Sequence, residues 1–176
     1  MAVPIITIMA GRSNSGKTTL LLSLLPELAR RQIRVGVIKH GSHFDLSSLE
    51  QPDKDSGRLL AAGVAQMVLT SPERTVRIEH YEEEPDLNRL AASFHHVDLI
   101  LAEGYKNSNW PKIEIMRRGH NTTLYAQPEE LLAVVGDMPE VCPAGILQLS
   151  FNDTEAICDA IEKYIKTFSG EGEHDE

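Results

Sequence analysis

The chain has 176 residues, 41% of them apolar and 24% charged, and a formal net charge of −9. That length fits one domain with a real core, and the acidic balance excludes a general nucleic-acid binder, which carries a basic face. No apolar run approaches the ~20 residues that cross a bilayer, and Cys142 and Cys158 lack the spacing of a metal clip or a disulfide framework. The expected setting is therefore a reducing cytoplasm, with no membrane partner and no nucleic-acid partner.

In chain order, residues 3–10 form an apolar, β-rich run without a basic leader, read as a buried strand and not a signal peptide. Residues 18–31 carry leucines at 20, 21, 22, 24, 25 and 28 and end on basic residues, the pattern of a buried helix that Pro26 should kink. Residues 33–38 are a second apolar run, followed by a polar stretch to Lys54. A short helix is expected over 55–62, strands over 66–70 and 74–80, and a helix over 86–96 from the spacing of Leu87, Leu90, Ala91 and Phe94. Further strands are expected at 97–102, 112–116, 131–135 and 146–149, before an amphipathic helix over 154–168. Alternating strands and helices predict an α/β fold, a mostly parallel sheet with helices on both faces. Residues 1–168 read as a single nucleotide-binding domain, and residues 169–176 as an acidic tail expected to be disordered. The acidic run over residues 79–86 reads as a solvated turn.

The chemistry begins where the first strand meets the first helix. Residues 11–18 read Gly-Arg-Ser-Asn-Ser-Gly-Lys-Thr, a P-loop (Walker A) sequence. Gly11 and Gly16 let the backbone approach a phosphate, and Arg12, Ser13, Asn14, Ser15 and Thr19 complete the expected nucleotide-binding segment. Lys17 should reach the β- and γ-phosphates, and Thr18 should bind Mg²⁺. Such a site needs a carboxylate at the end of a neighbouring strand. Glu103 stands there, after the apolar run of 99–102 and before Gly104, while Asp98 at the other end reads as structural.

Other candidates keep two readings. Lys106 either counters phosphate charge or is solvated, and Asp55 is either a further metal contact or the cap of the next helix. His40, His43 and Asp45 either bind a transition metal or line a polar site. His95 and His96 read as the cationic end of a helix. Trp110 serves either packing or partner contact. Arg12 either approaches phosphate across a dimer interface or is an exposed loop cation.

Taken together, the P-loop with Thr19, then Ile38-Lys39-His40, then Lys54-Asp55-Ser56, then residues 101–106 (Leu-Ala-Glu-Gly-Tyr-Lys), resemble the molybdopterin-guanine dinucleotide biosynthesis protein B (MobB) family across residues 3–167. The resemblance implies a P-loop NTPase fold and a GTP-binding accessory (adaptor) protein of molybdenum cofactor biosynthesis. It implies a homodimer that assists the molybdenum cofactor guanylyltransferase in attaching GMP to molybdopterin, with molybdopterin itself a candidate ligand. It carries over Lys17 and Thr18 as phosphate and Mg²⁺ contacts, Glu103 as the acidic strand-end residue, and Asp137, after Gly136, as the acceptor from guanine N1 and N2. The stretch after His40, Gly41-Ser42-His43-Phe44-Asp45, departs from the family's denser His-His-Asp pattern, and no Asn-Lys-x-Asp signature is present. Slow intrinsic hydrolysis is expected, since no glutamine or arginine is evidently set to orient water. The alternatives are a P-loop small-molecule kinase or ATP-dependent ligase, which would need a lid rich in arginine, and a metal-insertion GTPase, which would need a dense His/Cys cluster.

Overall fold

A computed structural model describes residues 2–12, 14–41, 55–120 and 122–171, of the last two residues the backbone alone. The chain divides into two compact units, residues 1–40 with 87–176, and residues 41–86.

The larger unit is built on a parallel sheet. Its strands are β1 (Ile5–Met9), β2 (Val35–Lys39), then, past the smaller unit, β5 (Leu99–Glu103), β6 (Lys112–Met116), β7 (Leu131–Gly136) and β8 (Gln148–Leu149). Their order is β2-β5-β1-β6-β7-β8, with every neighbouring pair parallel. Period-two alternation sends Ile6 and Ile8 of β1 to one face, with Leu99, Leu101, Ile113 and Ile115 from its neighbours. There they meet Leu20, Leu24 and Leu28 of α1 (Lys17–Arg30) and Ile157, Cys158 and Ile161 of α4 (Thr154–Glu171). Ile5, Ile100 and Ala102 face the other way, against Leu87 of α3 (Leu87–Ala91) and the partly buried Phe94 and Trp110. Helices therefore cover both faces, as expected. Burial at this packed centre pushes the Cys158 thiol up to about 11.

The smaller unit holds α2 (Asp55–Ala61) and an antiparallel hairpin of β3 (Gln66–Thr70) and β4 (Thr75–Glu79). Residues 42–54 lie outside the described residues, and with them the readings placed on His43, Asp45 and Lys54. Residues 172–176 of the acidic tail also lie outside them.

Several boundaries differ from the expectations. The first helix is not among these, for it runs through Pro26 to Arg30, one residue short of the expected end. The helix expected over 86–96 is α3 alone, five residues long. After it, Ser93 and Phe94 donate to the carbonyls of Leu90 and Ala91 in tighter turns, and His96 takes a left-handed φ of 60°. His95 and His96 thus lie beyond the helix and do not terminate it. Phe94 is held by packing at Gly36, where a Cβ would come within 2.4 Å of its ring. At the other end, α4 runs to Glu171, three residues into the segment read as tail. The strand expected over 146–149 keeps only two residues, Gln148 and Leu149.

Asp98 has the structural role expected of it. Its carboxylate accepts from Arg34 Nη2 at 2.7 Å, Nε at 2.9 Å and the Arg34 backbone N–H at 2.8 Å, pinning the start of β5 beside β2. These charge-assisted bonds hold its carboxyl at about 2. Trp110 takes the packing role: its Nε1 donates to Asn88 Oδ1 at 2.8 Å, and its ring lies 5.9 Å from that of Phe168.

Candidate functional site

The chain reverses direction across the sheet at β1, whose neighbours β5 and β6 lead to opposite edges. The carboxyl ends of strands at such a point are where open α/β sheets place ligands. There the fully buried β1 gives way to the loop of residues 11–16. Asn14 (φ 59°) and Gly16 (φ 94°) take left-handed backbone, and at Gly16 a Cβ would also stand 3.1 Å from Phe151. Ser15 is fully buried, and its hydroxyl donates to the Arg12 carbonyl at 2.7 Å, closing the loop on itself. Gly16 caps α1 without a side-chain hydrogen bond, and the first turn carries no acidic residue. The N–H groups of that turn and the positive end of the helix dipole therefore stay available to an anion. Lys17 forms no side-chain hydrogen bond or ion pair with a described residue. Arg12, Asn14, Thr18 and Thr19 are exposed, and Ser13 lies outside the described residues.

Beside the loop, the structure brings Thr18 and Glu103 together. The Thr18 hydroxyl donates to Glu103, at 3.0 Å from Oε2 and 3.3 Å from Oε1. Glu103 is 7% exposed. Its place follows from register, for it is paired with Ile8 on one side and Lys39 on the other. Gly104 then turns away at φ 104°, where a Cβ would stand 3.2 Å from His40. Mg²⁺ takes oxygen ligands at about 2.0–2.1 Å in octahedral geometry, so two adjacent ligands lie about 2.9 Å apart. A hydroxyl and a carboxylate at 3.0 Å fit that ion in donor type and in spacing. Among the described residues no group of three or more His, Cys, Asp or Glu gathers as a metal site.

Three further cations reach this edge. Lys39, at the end of β2, places Nζ 3.6 Å from Glu103 Oε2 and 3.3 Å from Thr18 Oγ1. Sequence reasoning gave Lys39 no role, because its neighbour across the sheet comes from 64 positions later in the chain and depends on strand order. Lys106 donates to the Gly11 carbonyl at 3.3 Å and stands 5.2 Å over the Tyr125 ring. Arg117, just past β6, lies 5.4 Å over the Phe151 ring, and its Nη1 is 3.5 Å from where a Gly16 Cβ would be. An arginine therefore does stand at the P-loop, one of the adjoining pair Arg117 and Arg118 that the sequence places beside the alternating run 112–116.

Asp137 leaves β7 at the same sheet edge. Its Oδ1 accepts from the Arg118 N–H at 2.8 Å, and its own N–H donates to the Met116 carbonyl at 3.2 Å. Asp55 belongs to the smaller unit, where it opens α2 with a side chain 98% exposed and 3.8 Å from Arg58. His40 stacks at a tilt on Tyr105, with ring centroids 5.4 Å apart.

The family model described as molybdopterin guanine dinucleotide synthesis protein B matches residues 5–137, from β1 through the P-loop and Glu103 to Asp137. The chain belongs to the MobB family. A relative from Haemophilus influenzae, named molybdopterin-guanine dinucleotide biosynthesis adapter protein, is 37% identical over 170 residues, spanning 96% of this chain and 93% of that protein. A protein of the same name from Escherichia coli K12 is 36% identical over 167 residues, spanning 92% and 93%. A solved MobB structure superposes with a TM-score of 0.67 at 25% identity over 91% of this chain and 99% of that one. Bacillus subtilis MobB shares the fold, with a TM-score of 0.61. No helix among the described residues is long and apolar enough to cross a membrane.

Proposed function

We propose that the chain is a GTP-binding adapter of molybdenum cofactor biosynthesis, which helps a molybdenum cofactor guanylyltransferase join GMP to molybdopterin. The observation that carries this reading is the P-loop with its paired Thr18 and Glu103 in a chain of the MobB family. The backbone of residues 14–18 and Lys17 would hold the β- and γ-phosphates, and Thr18 and Glu103 would hold Mg²⁺, which offsets phosphate charge when bound. Asp137 would accept from guanine N1 and N2 through Oδ2, since Oδ1 is engaged by Arg118. In a homodimer, Arg12 would approach the partner's phosphate.

Binding and presenting a nucleotide suits the described residues at this edge, which supply cations and a metal carboxylate. Turnover alone should stay on the scale of unassisted GTPases, roughly 10⁻⁴ to 10⁻² s⁻¹. The test reconstitutes the guanylyltransferase with molybdopterin and limiting GTP, with this protein, with its Lys17→Ala variant, or with neither. Stimulation by the wild type and none by the variant is the expected result. No stimulation, with rapid phosphoryl transfer by this protein alone to a small acceptor, would assign it to the kinases instead.

A further inference from the structure

We propose that Lys39 is a tethered substitute for the divalent cation, holding the Thr18–Glu103 pair when the metal is absent and giving way when it binds. The proposal rests on the reading that Thr18 and Glu103 hold Mg²⁺. Lys39 and Glu103 are register partners on the adjacent parallel strands β2 and β5, so their side chains leave the sheet together. The ammonium touches both oxygens assigned to the metal, at 3.3 Å from Thr18 Oγ1 and 3.6 Å from Glu103 Oε2. Among the described residues, Lys39 is the one cation within ion-pair distance of Glu103.

Burial makes that contact necessary. The Glu103 side chain is only 9% exposed, and a buried carboxylate without a counter-charge is costly. Lys39 is 46% exposed along its side chain, so its ammonium can swing into water on a flexible stem. One partner is fixed and the other is free to leave, as an exchangeable cation requires. Lys17 differs, for it makes no such contact and is left for phosphate. The metal must therefore displace a bound charge, and metal affinity is set in part by a residue that is not a ligand.

The experiment titrates nucleotide-free protein with Mn²⁺, following free Mn²⁺ by electron paramagnetic resonance, and records thermal midpoints in EDTA and in Mn²⁺. Lys39→Met should melt lower than wild type in EDTA and bind Mn²⁺ roughly three- to fivefold more tightly, the scale of a half-exposed ion pair. Its midpoint should rise more on adding Mn²⁺, while Lys39→Arg should stay near wild type. Lys39→Gln, with a polar end and no charge, gives the same comparison should the methionine variant not fold. Unchanged or weaker Mn²⁺ binding by a folded uncharged variant would overturn the proposal. Glu103→Gln separates the two readings. If it loses Mn²⁺ while the Lys39 variants match wild type, only the role of Lys39 fails. If it binds Mn²⁺ like wild type, the metal site itself fails and this proposal with it.

Discussion

The hydroxyl of Thr18 and the carboxylate of Glu103 are hydrogen-bonded at 3.0 Å although 85 positions separate them. They meet because β1 and β5 are neighbours in parallel register, with Ile8 opposite Glu103. Replacing Glu103 by glutamine keeps the size and removes the charge. Nucleotide affinity in Mg²⁺ should fall by about tenfold or more, the usual scale for disturbing a metal's surroundings. Affinity in EDTA should hardly change. Calorimetric titrations under both conditions check this, and an equal loss in both would show that Glu103 does not act through the metal.

Arg34 and Asp98 lock the opposite ends of β2 and β5. The Asp98 carboxyl is lowered from 3.8 to about 2, first by the side-chain hydrogen bonds to Arg34. A lowered acid contributes stability that is present above its unfolded value and is lost as pH falls through 3.8 toward 2. The pair is partly open to solvent, so its worth is about 1 kcal/mol after screening. Asp98→Asn should melt below wild type at pH 6, and the gap should close between pH 4 and about 2. A gap that is constant across that window would assign the loss to packing.

Gly136 closes β7 beneath Asp137, and its conformation leaves no room for a side chain. A Cβ there would lie 1.7 Å from the Met116 carbonyl oxygen, a backbone atom that cannot turn aside. Gly136→Ala must push β6 and β7 apart at the exit where Arg118 and Asp137 are joined. The expected cost is about 3 kcal/mol or more in denaturant unfolding, at the upper end of overpacking effects. A loss below about 1 kcal/mol would show that the exit adjusts freely.

Lys112 and Glu114 are fully buried charges on one face of β6. Lys112 donates to the Ser108 carbonyl and to Glu130, both at 2.6 Å. Glu114 accepts the N–H groups of Tyr125 and Ala126, one on each oxygen, and burial raises its pKa. A glutamine has only one acceptor oxygen and would leave one buried N–H facing an amide. Glu114→Gln should therefore cost about 1–3 kcal/mol. It should also loosen Tyr125, whose ring supports Lys106 at the P-loop. Denaturation checks the first, and amide exchange at residues 125 and 126 the second.

The same strand shows where the sequence stops being readable. Its limits, 112–116, are those the alternation predicts, as are the limits of β3 at 66–70. Yet alternation of Lys, Ile, Glu and Ile is the pattern of a half-solvated strand, and here both faces are buried. The polar side is hidden by loops whose backbone groups it satisfies, which no local pattern records. The P-loop and Glu103 were legible because their chemistry is local: a glycine turn before a helix, and an acid after an apolar run. The partners that Lys39 and Arg117 meet there were not, because each pairing comes through the strand order β2-β5-β1-β6. The helix over 86–96 was overextended because Phe94 keeps helical spacing while a turn brings it to Gly36.

Arg117 gives the last prediction. Its guanidinium lies over Phe151 and beside Gly16, at the edge of the loop that would hold phosphate. It forms no ion pair with a described residue, so its charge is not already engaged there. A guanidinium in that position can donate to a phosphate oxygen, and such charged hydrogen bonds are worth about 1.5–3 kcal/mol. Arg117 is exposed, so the lower end applies and Arg117→Ala should weaken GTP binding by about tenfold. The loss should shrink at high salt, because the missing term is electrostatic and screened. Arg117→Lys should recover part of the affinity, keeping the charge without the flat fork. The stacking on Phe151 predicts a separate, small fall in melting temperature for the alanine variant, the cation–π term being about 0.5–1 kcal/mol at an exposed site. Titrations at two ionic strengths beside melting curves keep the two effects apart. A lower melting temperature with unchanged affinity at both salts would confine Arg117 to holding Phe151 against the loop.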